Sequence, residues 1–453
     1  MEKIKKNIED LLQNVAKTNQ EMQDFLCDTA SLTDYEPRGE IWTEALQRAL
    51  NEHEIVIIPA NKAPYLIDGS ITIPSNRRII AKDGATIRLV QGTRVLMLRN
   101  ESTADGTYAP VNAPRDYNIS IEGGLWEDWC PYRMGYGNSG MYDSKRSFFG
   151  VSTLMLFNNL NNLTLKNMTF KNCGGFAVQL GDISQVIIEN ITFVECYADG
   201  IHVNGNTESI HIKNVRGEVG DDLVALNMFD WQDSSINFGP CNNVICEDLE
   251  LSKSSNYKAL RIEPGIYTYK SGEQVDCALT NAIIRRVVGI KTFKLYCQTP
   301  PYAPEIGPEP ADVGSGDNIF FEDISVDLDA PIDPLDEYLN SHPVKGTIAA
   351  FELGLNAKNI YFKNIDVTLH KENYPFSYFI CIGPKSVRFK DGREVFDPYF
   401  SSTVQNVHLE GITVNGEKPK DISPYVKEIV FDKLYEDIPS SGKGKINNII
   451  YRR

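Results

Sequence analysis

Asn162-Leu-Thr-Leu-Lys-Asn-Met-Thr-Phe170 and Gln185-Val-Ile-Ile-Glu-Asn-Ile-Thr-Phe193 are two copies of one pattern: an amide residue, two apolar residues at alternate positions, a second Asn, then more apolar positions. The pattern also appears earlier, as Asn118-Ile-Ser-Ile-Glu-Gly123. It returns at Ser209-Ile-His-Ile-Lys-Asn-Val215, Asn243-Val-Ile-Cys-Glu-Asp-Leu249 and Asn318-Ile-Phe-Phe-Glu-Asp-Ile324. Later copies are Asn359-Ile-Tyr-Phe-Lys-Asn-Ile365, Asn406-Val-His-Leu-Glu-Gly-Ile412 and the fragment Asn448-Ile-Ile-Tyr451. Central copies lie about 23 to 24 residues apart and later ones roughly 35 to 47, as when loops are inserted into constant turns. Period-2 alternation at this spacing predicts an all-β fold, a single-stranded right-handed parallel β-helix. The regular Asn-Gly turns of a hairpin sandwich are missing. Asn at the bends is expected to form hydrogen-bonded ladders.

Outward from these repeats, the pattern begins near Glu54-Ile-Val-Ile-Ile-Pro59. Before it, Ile4, Ile8, Leu11, Leu12, Val15, Met22 and Phe25 recur at helical spacing, and Trp42 to His53 reads as a second short helix. The chain therefore divides into an N-terminal helical cap, 1–53, and a β-helix, 54–453. A cap has a physical reason, since the first turn would otherwise present an open strand edge. This helix or the β-helix flank is the expected surface for any homo-oligomer.

The formal charge of −16 argues against nucleic acid or an anionic membrane as a partner. The nine cysteines are odd in number, form no CxxC pair and fall largely within apolar repeat units, which predicts reduced core thiols. No apolar signal-peptide core and no run of membrane-spanning length is seen, so a cytoplasmic location is expected. No cofactor or metal is expected.

The chemistry gathers at Tyr197-Ala-Asp-Gly-Ile-His-Val-Asn204 and Gly220-Asp-Asp-Leu-Val-Ala-Leu226. One turn apart, these place Asp199 beside Asp221 and Asp222, and three crowded carboxylates cost repulsion and desolvation. Taking Val178/Leu180, Ile201/Val203, Leu223/Ala225, Leu260/Ile262 and Phe293/Leu295 as inward pairs, the outward column reads Gln179, His202, Val224, Arg261, Lys294. One position past each pair come Asn204, Glu263 and Tyr296, and Lys258 precedes the pair at Leu260. Nearby stretches are aromatic: Trp231 in Met228–Asp233, the Trp126–Phe149 segment, Tyr267, Tyr269 and Tyr302. Aromatic walls beside carboxylates suit sugar rings, whose C–H faces stack on them. An oligosaccharide partner is expected.

Ala198-Asp-Gly-Ile, Gly220-Asp-Asp-Leu and Leu260-Arg-Ile-Glu, set on this repeat, resemble the polygalacturonases of glycoside hydrolase family 28. That family carries Asn-Thr-Asp-Gly, Gly-Asp-Asp, Gly-His-Gly and Arg-Ile-Lys in this order. The motif resemblance covers about residues 160 to 270, and the β-helix similarity most of the chain. It implies an inverting glycosidase with Asp221 as general acid and Asp199 and Asp222 activating water, the carboxyls roughly 6.5–9.5 Å apart. It further implies Arg261 as a substrate contact. His202, Glu263, Lys294, Trp231, Asn204 and Tyr296 are the other candidate substrate-binding residues. Two departures stand out. Ser235-Ile-Asn-Phe-Gly-Pro-Cys241 has no histidine, and Glu263 replaces the family's lysine, which points to a sugar other than plain polygalacturonate. The long insertions predict exo action. Two alternatives are a polysaccharide lyase using Ca²⁺ and Arg261 as base, and a non-catalytic glycan-binding β-helix.

Overall fold

The computed structural model describes residues 2–93, 95–106, 114–130, 153–230, 235–269, 271–297, 311–329, 348–383, 387–390, 393–396, 401–429 and 443–453. They form a right-handed parallel β-helix in which each turn pairs in parallel with the next, for example Val178↔Ile201 and Ile201↔Val224. Inside, a continuous column of Ile, Leu, Val and Phe runs from the first turns to the last.

The bends explain the repeat. In six of the nine copies the first residue sits in the left-handed region: Asn118 at φ 57, Asn162 at 62, Gln185 at 60, Ser209 at 60, Asn243 at 57 and Asn318 at 54. Asn tolerates positive φ better than most side chains, because its short amide can bond locally. The ladder follows, with Asn118 Nδ2 donating to Asn76 Oδ1 (2.9 Å), Asn318 to Asn281 (3.1 Å) and Asn406 to Asn359 (3.1 Å). A second ladder links Asn214, Asn190 and Asn167. The Asn281 rung escaped the sequence pattern, because Arg286 occupies its second bend at φ 54. Its guanidinium is held there by Asp248, Nε to Oδ1 2.6 Å.

The two predicted helices form, as α1 (Glu2–Asp24) and α2 (Thr43–Glu52). Only α2 closes the end of the solenoid, burying Ala45, Leu46, Ala49 and Leu50 in the central core. The first rung is already supplied by Thr29–Ser31, which pairs with Ile55–Ile57. α1 instead lies along the flank and spends its apolar stripe there: Ile8, Leu12 and Val15 pack on Ile187, Ile245, Ile283, Phe320 and Tyr361. Its ends are tied by Glu2–Lys363 (3.6 Å) and by Asn118 Nδ2 donating to Met22 O (3.3 Å). The lengths match. At about 1.5 Å per residue, the 23 residues of α1 reach about 34 Å. The steps 118→162→185→209→243→281→318→359 at about 4.8 Å give the same span. Lys5 is buried on Glu322 (2.5 Å) and Glu9 meets Arg285 (2.6 Å), which fixes the register. We expect Leu12→Ala to cost about 2–4 kcal/mol in urea unfolding, as for other buried Leu truncations.

All nine cysteines are free thiols, and Cys173, Cys196, Cys241, Cys246, Cys277 and Cys381 are buried. Among the described residues, no helix is long and apolar enough to cross a membrane.

Candidate active site

The predicted acids do come together. One ligand oxygen from each of Asp199, Asp221 and Asp222 lies within 4.8 Å of the others. Asp199 and Gly200 lead into the strand Ile201–Asn204, and Asp221 and Asp222 lead into Val224–Asn227 on the next turn. Glycines make the tight lead-in feasible. A Cβ on Gly220 would lie 2.3 Å from Tyr197 O, and one on Gly200 2.7 Å from Leu223 O.

The register differs from expectation at one turn. Ile201 pairs with Val224 and Val203 with Leu226, so the inward pair is Val224/Leu226 and the outward column holds Ala225 in place of Val224. Leu223, Val224, Ala225 and Leu226 are all buried, so no alternation of exposure betrays the phase. The other column members stand as predicted, His202 paired with Ala225, Ala225 with Arg261 and Arg261 with Lys294. Asn227 joins Asn204, Glu263 and Tyr296 in the neighbouring column.

The three acids differ in burial. Asp222 is fully enclosed and Asp199 is 3% exposed, whereas Asp221 retains 8%. Arg261 reaches Asp221 Oδ1 from Nη2 at 3.4 Å, and its Nε lies 3.3 Å from Asp222 Oδ2 and 3.8 Å from Glu263 Oε1. Its Nη2 also donates to Tyr257 Oη at 3.1 Å. The Tyr257 ring carries two cations, Arg261 at 5.5 Å and Lys294 at 5.2 Å from its centroid. Tyr257 was not read from the sequence.

Burial pushes the Asp222 carboxyl well above the usual range, against the pull of Arg261, with Asp221 and Asp199 adding to the rise. Burial and Asp221 raise Asp199, while His202 pulls it back. Glu263 is also pushed well up by burial, and neither of its oxygens has a hydrogen-bond partner. It is fully enclosed, and its backbone O accepts from the Phe229 N–H (2.9 Å). An acid with a raised folded pKa takes up a proton on folding, so its contribution to stability is lost as pH rises from its unfolded pKa toward the folded one. Glu263→Gln should therefore be more stable than wild type at pH 8. That gain should shrink toward pH 5 in paired urea titrations.

His202, expected to touch substrate, is 2% exposed and has carboxylates on both sides: Asp199 Oδ2 at 2.6 Å from Nδ1 and Asp230 Oδ2 at 2.8 Å from Nε2. Asp230 is the acid the sequence did not single out, because only the folded-back segment after Asn227 brings it here. Asn204 is enclosed too, donating to Asn227 O (3.1 Å) and accepting from Gln179 (2.8 Å) and the Ile236 N–H (3.2 Å). The segment lacking the family histidine thus packs on Asn204. Tyr296 is buried in register with Gly354. Lys258 turns away, its Nζ on Lys253 O (2.9 Å).

Of the aromatic residues expected near the acids, Tyr267 and Tyr269 pack with one another and with Phe238. Phe238 stacks on Tyr267 at 3.7 Å, and Tyr269 meets Tyr267 edge-on at 5.0 Å. Trp126 is not part of this group, being fully buried with its indole N–H on Gly123 O (2.9 Å). Trp231, Tyr302 and residues 131–149 lie outside the described residues, as do most of the insertions that predicted exo action.

No protein-family model matches the sequence, and neither does any curated protein. Among solved structures, a family 28 exopolygalacturonase of Yersinia enterocolitica superposes with a TM-score of 0.51 at 12% identity, over 94% of this chain and 78% of the other. The chain shares its fold. A hyperthermoactive exopolygalacturonase of Thermotoga maritima gives a TM-score of 0.48 at 14% identity, over 96% of each chain. An E. coli bacteriophage HK620 tailspike protein gives 0.49 at 14%, over 86% of this chain and 67% of its own.

Proposed function

We propose that the chain is a glycoside hydrolase acting on an oligosaccharide. The observation that carries this is the cluster Asp199, Asp221 and Asp222, three carboxyls within 4.8 Å, with Arg261 Nη2 3.4 Å from Asp221 Oδ1. Hydrolysis needs one protonated carboxyl for the leaving oxygen and one ionised carboxyl for water. Crowding and unequal burial separate these states. Asp221 is the general acid in this reading, on the resemblance and because it is the least buried of the three at 8% exposure. Burial raises the Asp222 carboxyl well above its usual range, and in this reading Asp222 helps Asp221 hold that proton. Asp199, steadied by His202, takes the proton of water.

The close spacing carries no argument for inversion, which in general wants carboxyls roughly 6.5–9.5 Å apart. Inversion is proposed on the resemblance alone, and NMR of the first-formed anomer decides it. The enclosure of Glu263 also changes the substrate argument. Enclosed, it is not set against a sugar, and Arg261 Nε is 3.8 Å from its Oε1. A substrate other than plain polygalacturonate remains our proposal because no cation follows Ile262, and exo action is proposed on the long insertions alone.

A lyase is the second reading, since three hard oxygen donors at this spacing would also suit Ca²⁺. Against it, the Arg261 guanidinium already supplies the positive charge beside Asp222. A glycan panel assayed for new reducing ends, with and without chelator, tests the choice. Chelator-insensitive release supports hydrolysis. Unsaturated, chelator-sensitive products would replace it with the lyase, and no product from any glycan would leave a binding protein.

A further inference from the structure

Behind the three acids runs a second arrangement, Asp199–His202–Asp230. Both ring nitrogens of His202 lie at hydrogen-bond distance from carboxylate oxygens, 2.6 Å and 2.8 Å. A neutral imidazole has one donor and one acceptor nitrogen, so one of these contacts would set a lone pair against a carboxylate. With both carboxyls ionised, the two contacts are satisfied when both nitrogens donate, and Asn204 Nδ2 also lies 3.3 Å from Nε2. Phe176 fixes the ring plane by stacking at 4.0 Å and 9°. Asp199 is held at both ends, Oδ2 by His202 and Oδ1 by the Asp222 N–H (3.2 Å). Asn204 Nδ2 sits 3.4 Å from Asp230 Oδ2 and anchors the far end of the chain of contacts.

We propose that His202 and Asp230 are positioning residues for the hydrolysis, holding Asp199 in a single orientation as the carboxylate that accepts the proton of water. This rests on the hydrolase reading. Both act through Asp199 in this proposal, His202 by its contact with Asp199 Oδ2 and Asp230 by holding the far ring nitrogen. The charged groups acting on the ring are Asp199 from its own turn, Asp230 from the segment after Asn227, and Glu263 from the turn beyond. Arg261 acts on Asp199 from that same turn. The two carboxylates outweigh burial and push the imidazole up to about 10. The imidazolium in turn lowers the Asp199 carboxyl. Weakening it raises that carboxyl, so the ascending acid limb of kcat must move to higher pH.

The test uses the full chain and two readouts. With ¹⁵N-labelled histidine, one of the six imidazoles should remain doubly protonated at pH 8.5, and its signal should vanish in His202→Gln. In Asp230→Asn that ring should become neutral at pH 8.5. On a glycan the wild type cleaves, Asp230→Asn should lower kcat about 10-fold with KM within about twofold. It should also move the acid limb up by about half a pH unit or more, and Asp230→Glu should restore it. A neutral His202 in the wild type, or a kcat loss with the limb unmoved, overturns the proposal. If the wild type cleaves nothing, the hydrolase reading falls with it, an outcome distinct from a neutral ring.

Discussion

Asp221→Asn should lower kcat by about 10²-fold or more, and Asp199→Asn by at least as much. The reason is geometric. With these oxygens within 4.8 Å of one another, removing one acidic proton or one negative charge changes the state of all three. Asp221→Asn deletes the acid nearest the opening, so substrates with good leaving groups should lose less than those with poor ones. Asp199→Asn deletes the base, and its loss should not depend on the leaving group. Asp222→Asn should be the intermediate case, because burial already raises that carboxyl and the amide there removes less charge. Kinetics on an aryl glycoside and a natural oligosaccharide check the ordering. Near-normal turnover in both Asp221→Asn and Asp199→Asn would end the assignment.

The second large effect concerns the fold. Arg261→Leu should destabilise the chain by about 3–5 kcal/mol, the typical cost of leaving buried charges without their partner. Arg261 is the cation shared by Asp221, Asp222 and Glu263, and its guanidinium also engages Tyr257. The loss should shrink as pH falls toward 4, where the stranded carboxyls take up protons. Arg261→Lys should recover part of it. Urea midpoints of the three proteins at pH 4 and pH 8 provide the check, and a pH-independent loss would mean that packing dominates.

The fold was legible in the sequence because its bends are chemically demanding. Positive φ at Asn118, Asn162, Asn243 and Asn318 restricts those sites to residues that tolerate it, so the period is written in asparagines. Where Arg286 met the same demand by pairing with Asp248, the rung at Asn281 went unread. The three acids were legible from their one-turn offset. The phase of Leu223–Leu226 was not, since both faces of that strand are buried and polarity carries no signal there. Helical periodicity revealed the apolar stripe of α1 but not what covers it, so its place along the flank had to come from the structure. Asp230 stayed hidden for a related reason: its contact with His202 spans 28 residues through a fold-back that no local pattern encodes.

The central claim is that this carboxyl cluster splits a glycosidic bond with water. Cleavage of a susceptible oligosaccharide in ¹⁸O-water, read by mass spectrometry, tests it most directly. The account predicts one solvent oxygen in each new reducing end, with release lost in Asp221→Asn. Products that carry no solvent oxygen, or release that is unchanged in that variant, would contradict it.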